Sequence, residues 1–107
     1  MSEGKSKYFD VGFGISSVSV SGTGDTIVAT LGANYHGVSI IAGTTRVAVT
    51  VYDNAATTAG NLLDAFVVNA GGDFQRDKTI PVIARNGIVV SVTGTGATGV
   101  IFFSPKG

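Results

Sequence analysis

The stretch Thr45-Arg46-Val47-Ala48-Val49-Thr50-Val51-Tyr52, followed by Asp53-Asn54, decides how this chain reads. Val47, Val49 and Val51 alternate with Ala48, Thr50 and Tyr52, the two-residue period of a strand with one face buried. Valine and threonine also suit a pleated, half-buried surface. Working outward, the same grammar recurs on both sides, and eight strands are predicted from Ile15 onward. They are Ile15–Ser21, Thr26–Leu31, Tyr35–Ala42, Thr45–Tyr52, Leu62–Asn69, Ile80–Arg85, Ile88–Thr93 and Gly99–Ser104.

The connections carry their own signals. Gly22-Thr23-Gly24-Asp25 and Gly32-Ala33-Asn34 are turn sequences, and Gly43-Thr44 holds the two-residue position of a tight hairpin. Asn86-Gly87 is the strongest hairpin signal, because both residues tolerate positive φ. Asp53–Gly60 makes a longer connection, and Ala70–Thr79, with Asp73, Arg76, Asp77 and Lys78, is predicted to be the longest loop. No helix is expected, since Thr57, Thr58 and Gly60 interrupt the only stretch with helical composition. Val18–Gly24 and Val90–Gly96 are nearly the same heptad, read as two similar hairpins. Short strands with glycine turns indicate a single all-β domain, a β-sandwich or a barrel, and about eight antiparallel strands fit a small jelly-roll-like β-sandwich. The many tight turns favour up-and-down pairs, leaving the two longer loops to cross between sheets.

Residues 1–14 read as an N-terminal arm preceding the sandwich at 15–107. The arm sets Tyr8, Phe9, Val11 and Phe13 among glycines, too broken for a helix and too aromatic for a plain tail. Such an arm is expected to pack on its own sandwich or on a neighbouring subunit. At the other end, Val100-Ile101-Phe102-Phe103 is continuous rather than alternating. That suits a central strand covered on both faces, or a strand whose Ile101 or Phe103 faces another subunit.

Composition narrows the function. The 107 residues hold seven basic and seven acidic side chains, so the formal charge is zero. Nucleic acid and anionic membrane are therefore disfavoured as partners, since both are recognised through basic surface. Only 13% of residues are charged while 44% are hydrophobic, which points to a hydroxyl-rich surface or one covered by other subunits. With no cysteine there is neither a disulfide nor a thiolate metal site. The segment Met1–Lys7 lacks the apolar stretch of a secretory signal, and no apolar run approaches the ~20 residues that span a bilayer. Synthesis in the cytoplasm and use without export are expected.

Chemistry is sparse. His36 is the only histidine, with no second imidazole or thiol to complete a metal site. It is also the only candidate base for a nucleophilic triad, and no Gly-x-Ser-x-Gly elbow or phosphate-binding glycine loop occurs. Asp25 and Asp53 sit at turns, where aspartate caps backbone amides, and Asp73 and Asp77 have Arg76 and Lys78 beside them. None of the spacings matches a calcium loop. Without tryptophan, the rings available to stack on a sugar are Tyr35 and Tyr52, which suit cross-strand packing equally well. No enzyme activity, cofactor or metal is expected.

Three segments together carry a resemblance: Gly43–Asn54, then Gly60-Asn61-Leu62-Leu63, then Asn86-Gly87-Ile88-Val89-Val90-Ser91-Val92-Thr93-Gly94-Thr95-Gly96. Across residues 37–104 the chain resembles small all-β structural proteins of tailed bacteriophages, a group that includes capsid decoration (cement) proteins. The resemblance implies a virion protein, attached outside the expanded shell to the major capsid protein, often as a trimer at three-fold sites. It implies non-catalytic binding and brings no catalytic residues. The interface candidates are then Tyr8, Phe9 and Phe13 of the arm, with Ile101 and Phe103 of the last strand. A receptor- or glycan-binding module of a phage tail or fibre is the alternative.

Overall fold

The computed structural model describes residues 15–105, all of whose regular structure is β. The strands are β1 Ser16–Ser21, β2 Gly24–Ala29, β3 Ala33–Ile41, β4 Val47–Tyr52, β5 Leu62–Val68, β6 Asp73–Ala84, β7 Ile88–Thr93 and β8 Thr98–Pro105. They form two four-stranded sheets, ordered β1-β8-β3-β6 and β2-β7-β4-β5. The pairs β1–β8, β2–β7, β3–β6 and β4–β5 are all antiparallel. The chain is thus one long hairpin, its tip at 53–61 between β4 and β5, rolled so that β3 meets β8 and β4 meets β7. That is the eight-strand jelly roll.

The topology reverses one expectation. Connections β1–β2, β2–β3, β3–β4, β5–β6, β6–β7 and β7–β8 all pass from one sheet to the other, and only β4–β5 stays within a sheet. Short glycine turns, including Gly43-Thr44 and Asn86-Gly87, therefore make corners rather than hairpins. A few residues suffice to bridge facing sheets about 10 Å apart. At Gly87 the fit is explicit: its φ is +152°, and an added Cβ would run into the carbonyl oxygens of Ala29 and Asn54. The glycine is required there because three chain segments meet, not because two strands turn back on each other.

The expected long loop is also corrected. Residues 73–79 belong to β6, which pairs Asp73, Phe74, Gln75, Arg76 and Asp77 with Ile41, Ile40, Ser39, Val38 and Gly37. Exposure alternates along this stretch, with Phe74 and Arg76 partly covered while Asp73, Gln75 and Asp77 are exposed. The four charges concealed the period of two. A register shift between Tyr35 and Gly37 lets β6 jump from Asp77 to Val82 opposite them, so 78–81 bulge away and Ile80 stands out at 84% exposed.

The core lies between the sheets. Val47, Val49 and Val51 of β4 face Tyr35, Val38 and Ile40 of β3, with Ile88, Val90 and Val92 of β7 and Ile101 of β8, all essentially closed to solvent. The opening stretch is therefore an inner strand, as its alternation requires. Each such valine or isoleucine contributes about 1.5–3 kcal/mol when wholly buried.

Candidate functional site

The expected interface residues separate. Tyr8, Phe9 and Phe13 lie outside the described residues. Ile101 is a correction: it pairs with Val18 and Val38 in the interior and is 0% exposed, so it belongs to the core and is not an interface residue in this fold. Phe103 is half-buried with its side chain packed against the core. Between them, Phe102 points to the outer face of its sheet. β8 is a central strand between β1 and β3, but only its inner face packs into the core, and the unbroken apolar run conceals which residues turn which way.

Phe102 borders a depression of about 440 Å³ on the outer face of the β1-β8-β3-β6 sheet. Beside it, Gly37 stands in one row between Phe102 of β8 and Asp77 of β6. Gly37 has φ +148°, and a Cβ there would overlap the Arg76 carbonyl oxygen. Only glycine lets the shifted backbones approach so closely. Ile15, Val100 and Phe102 form the apolar wall, while His36, Gln75 and Asp77 form the polar one. The size and mixed lining are those of a small binding site.

His36 sits at this rim, its Nε2 2.8 Å from Ser104 Oγ. Asn34 Nδ2 donates to the same hydroxyl over a long 3.5 Å. Ser104 is 7% exposed, and these contacts tie the end of β8 to β3. Among the described residues no carboxylate holds the other ring nitrogen, which a base in a triad needs. Among them, too, no three metal-ligating side chains gather.

Two polar devices hold the sandwich together. At its open β5–β6 side, the buried Tyr35 hydroxyl donates to Asp64 Oδ2 at 2.9 Å, crossing from one sheet to the other. Arg76 Nε lies 2.9 Å from the same oxygen, an ion pair by distance, although its N–H is not aimed well enough for a hydrogen bond. Arg76 also lies over Phe74, its guanidinium carbon 5.0 Å from the ring centre. Phe74 in turn stacks on Phe66 at 4.1 Å. Burial pushes the Tyr35 phenol well above its ordinary range, Asp64 adds to the shift by charge and as acceptor, and Arg76 opposes it.

The second device is Asp53. Its carboxylate accepts the backbone N–H of Asn86 at 2.8 Å and of Arg85 at 3.1 Å. Turn chemistry was the expectation for Asp53, and the partners prove to be 32 and 33 residues away, at the β6–β7 corner. Asn54 supplies the local turn instead, accepting the N–H groups of Ala56 and Thr57, both at 2.9 Å.

Exposed apolar side chains occur on both long sides: Ile15 and Leu31 stand beside β1 and β2, Ile27 lies within β2, and Ile41 ends β3. Leu62 and Val67 of β5, and Ile80 and Ile83 of β6, are 58%, 47%, 84% and 59% exposed. These are the outermost strands of the two sheets, and they lie beside each other. Comparison with known proteins adds nothing to this: no family model and no curated protein matches the chain. No helix of the described residues is long and apolar enough to cross a membrane.

Proposed function

We propose that this chain is a non-catalytic structural protein of a tailed-phage virion, binding the outer surface of the head and bracing the shell. The observation that supports the reading is the exposure of Leu62, Val67, Ile80 and Ile83 along the free edge strands β5 and β6. Large apolar side chains left exposed along unpaired strand edges suit protein contact. The jelly roll is compatible, being an architecture of viral coat domains, but fold alone assigns no function. The partner is the major capsid protein, contacted by three copies around a three-fold axis. The glycan-binding alternative has less to rest on, since Tyr35 is wholly buried and Tyr52 half-buried.

The test is co-sedimentation of the full chain with empty, expanded heads assembled from the major capsid protein of the same virus. Saturable binding at a fixed ratio is expected, with light scattering of the bound form's free counterpart giving about three times 10.8 kDa. Ile80→Asp should weaken binding about tenfold or more, since a buried anchor typically exceeds 1.4 kcal/mol. A folded protein that ignores the heads at all concentrations overturns the reading.

A further inference from the structure

We propose that the depression between β8 and β6 is a saccharide site, taking one neutral pyranose unit with its C–H face on Phe102 and its hydroxyls on Asp77, Gln75, Ser39 and His36. The inference is independent of the shell-binding reading, since it uses none of Leu62, Val67, Ile80 and Ile83.

Three points carry it. First, the two walls differ in chemistry and face each other across β3. Phe102 and Asp77 stand in one row of the sheet, and Val100 and Gln75 in the next, where Ser39 lies between them. β8 and β6 are two strand spacings apart, about 10 Å, which admits one six-membered ring between the walls. The volume of about 440 Å³ falls within the range of small-molecule sites, about 300–1,000 Å³. Second, an apolar wall opposite hydrogen-bonding groups fits a pyranose, which has a face of C–H bonds and a rim of hydroxyls. The face of a phenyl ring carries negative partial charge and attracts those C–H groups. Third, the polar groups both give and accept. Asp77 accepts, the Gln75 amide and the Ser39 hydroxyl do both, and His36, with Nε2 on Ser104, keeps its other ring nitrogen for a ligand. A hydroxyl is donor and acceptor at once and uses this whole set, whereas an ammonium group, a donor only, would leave half of it idle. An anion is disfavoured by Asp77, because Arg76, which also lines the depression, turns its guanidinium to Asp64 and Phe74.

The test is a proton–nitrogen NMR titration of the full chain with the methyl glycosides of glucose, galactose, mannose and N-acetylglucosamine, and with butylammonium as a cationic probe. At least one glycoside should shift the amide signals of Ser39, Gln75, Asp77 and Phe102 saturably, with a Kd on the order of 1 mM for a ligand of this size in an open site. Asp77→Asn, which keeps the shape and removes the charge, should weaken that binding about tenfold. Phe102→Leu, which keeps the wall apolar and removes the ring, should weaken it about fivefold. Both variants should keep the natural chain's spectrum away from the depression, and Thr50→Ala on the other sheet should bind as the natural chain does. A trisaccharide built on the best glycoside tells the source. Tighter binding than the single unit marks a polysaccharide chain, equal binding a free sugar or chain end, and either supports the site. If no glycoside shifts those signals up to about 100 mM, or butylammonium alone does so, the proposal is overturned. Unchanged affinity in both variants also overturns it, placing the sugar elsewhere on the surface.

Discussion

The two long sides of this sandwich are finished in different ways. On the β1–β2 side, the chain itself crosses between the sheets at Gly22-Thr23, and backbone groups close the gap: Gly22 N–H donates to Ala97 O at 2.8 Å. Thr23 Oγ1 both donates to Gly94 O and accepts from Gly94 N–H, at 3.0 and 3.1 Å. The exposed residues of β1 are serines, Ser17, Ser19 and Ser21 among them, while Ile27 of β2 and Leu31 just beyond it are exposed apolar side chains. On the β5–β6 side, side chains do the closing, through Tyr35, Asp64, Arg76 and the Phe66–Phe74 stack, and Leu62, Val67, Ile80 and Ile83 stay exposed. The β1–β2 side is thus closed by the backbone and one threonine hydroxyl, without a side-chain bridge between the sheets among the described residues. A side held by a polar bridge under apolar residues suits an interface.

The sharpest way to break the contrast is Gly37→Ala. The new Cβ meets the Arg76 carbonyl oxygen, so β3 and β6 must separate and the β5–β6 side loses its anchoring strand. A cost of roughly 3 kcal/mol or more is expected, the range of steric strain that a packed backbone cannot relieve. Urea unfolding would register it as a lowered midpoint. A loss below about 1 kcal/mol would show that β6 is loosely attached and the comparison misdrawn.

Next in size is Asp64→Ala, which leaves the wholly buried Tyr35 hydroxyl without its acceptor and Arg76 without its ion-pair partner. An unsatisfied buried donor costs about 1–3 kcal/mol. Arg76 is partly exposed and adds little, because water screens it. The double variant Asp64→Ala with Tyr35→Phe should recover part of the loss, since both partners of the bond are then gone.

Much of this architecture is legible in the residues, though not its connectivity. The number of strands, and β7 at Ile88–Thr93, follow from alternation and glycine punctuation, while the first half of β6 is hidden by its charges. The connectivity does not, because a turn residue marks where the chain bends, whereas the sheet it enters next depends on contacts far along the sequence. Asn86-Gly87 looks like a hairpin for that reason, and what fixes it as a corner is Asp53, more than thirty residues earlier. The repeated heptads illustrate the same point: Val18–Gly24 and Val90–Gly96 are both corner sequences at one end, and Thr23 of one bonds Gly94 of the other. The depression bordered by Phe102, His36 and Asp77 is illegible for a further reason, since most of its lining residues come from β8, β3 and β6, which meet across a register shift. Ile101 and Phe103 were separable from Phe102 only once the inner face of β8 was fixed.

Alkaline pH probes the bridge without disturbing its packing. The Tyr35 phenol is raised in the folded state, while in the unfolded chain it loses its proton at about pH 10. The bond to Asp64 therefore contributes fully below pH 10. Above that, the unfolded state releases a proton that the folded state keeps, and stability falls by about 1.4 kcal/mol per pH unit from this residue. Denaturant midpoints measured from pH 9 to 11 should decline more steeply for the natural chain than for Tyr35→Phe. Parallel declines would mean that the phenol is not enclosed.

The smallest effect belongs to the other side. Thr23→Ala removes both hydrogen bonds to Gly94, but the site is exposed and water replaces them. The expected cost is about 0.5–1 kcal/mol, a few degrees in Tm for a domain of this size. Thr23→Ser should retain nearly all the stability, because the hydroxyl does the bonding and the methyl group packs on little. Equal losses for Thr23→Ala and Asp64→Ala would mean that both sides depend on side-chain bridges to the same degree. The contrast between backbone closure on one side and side-chain closure on the other would then fail, since apolar residues are exposed on both.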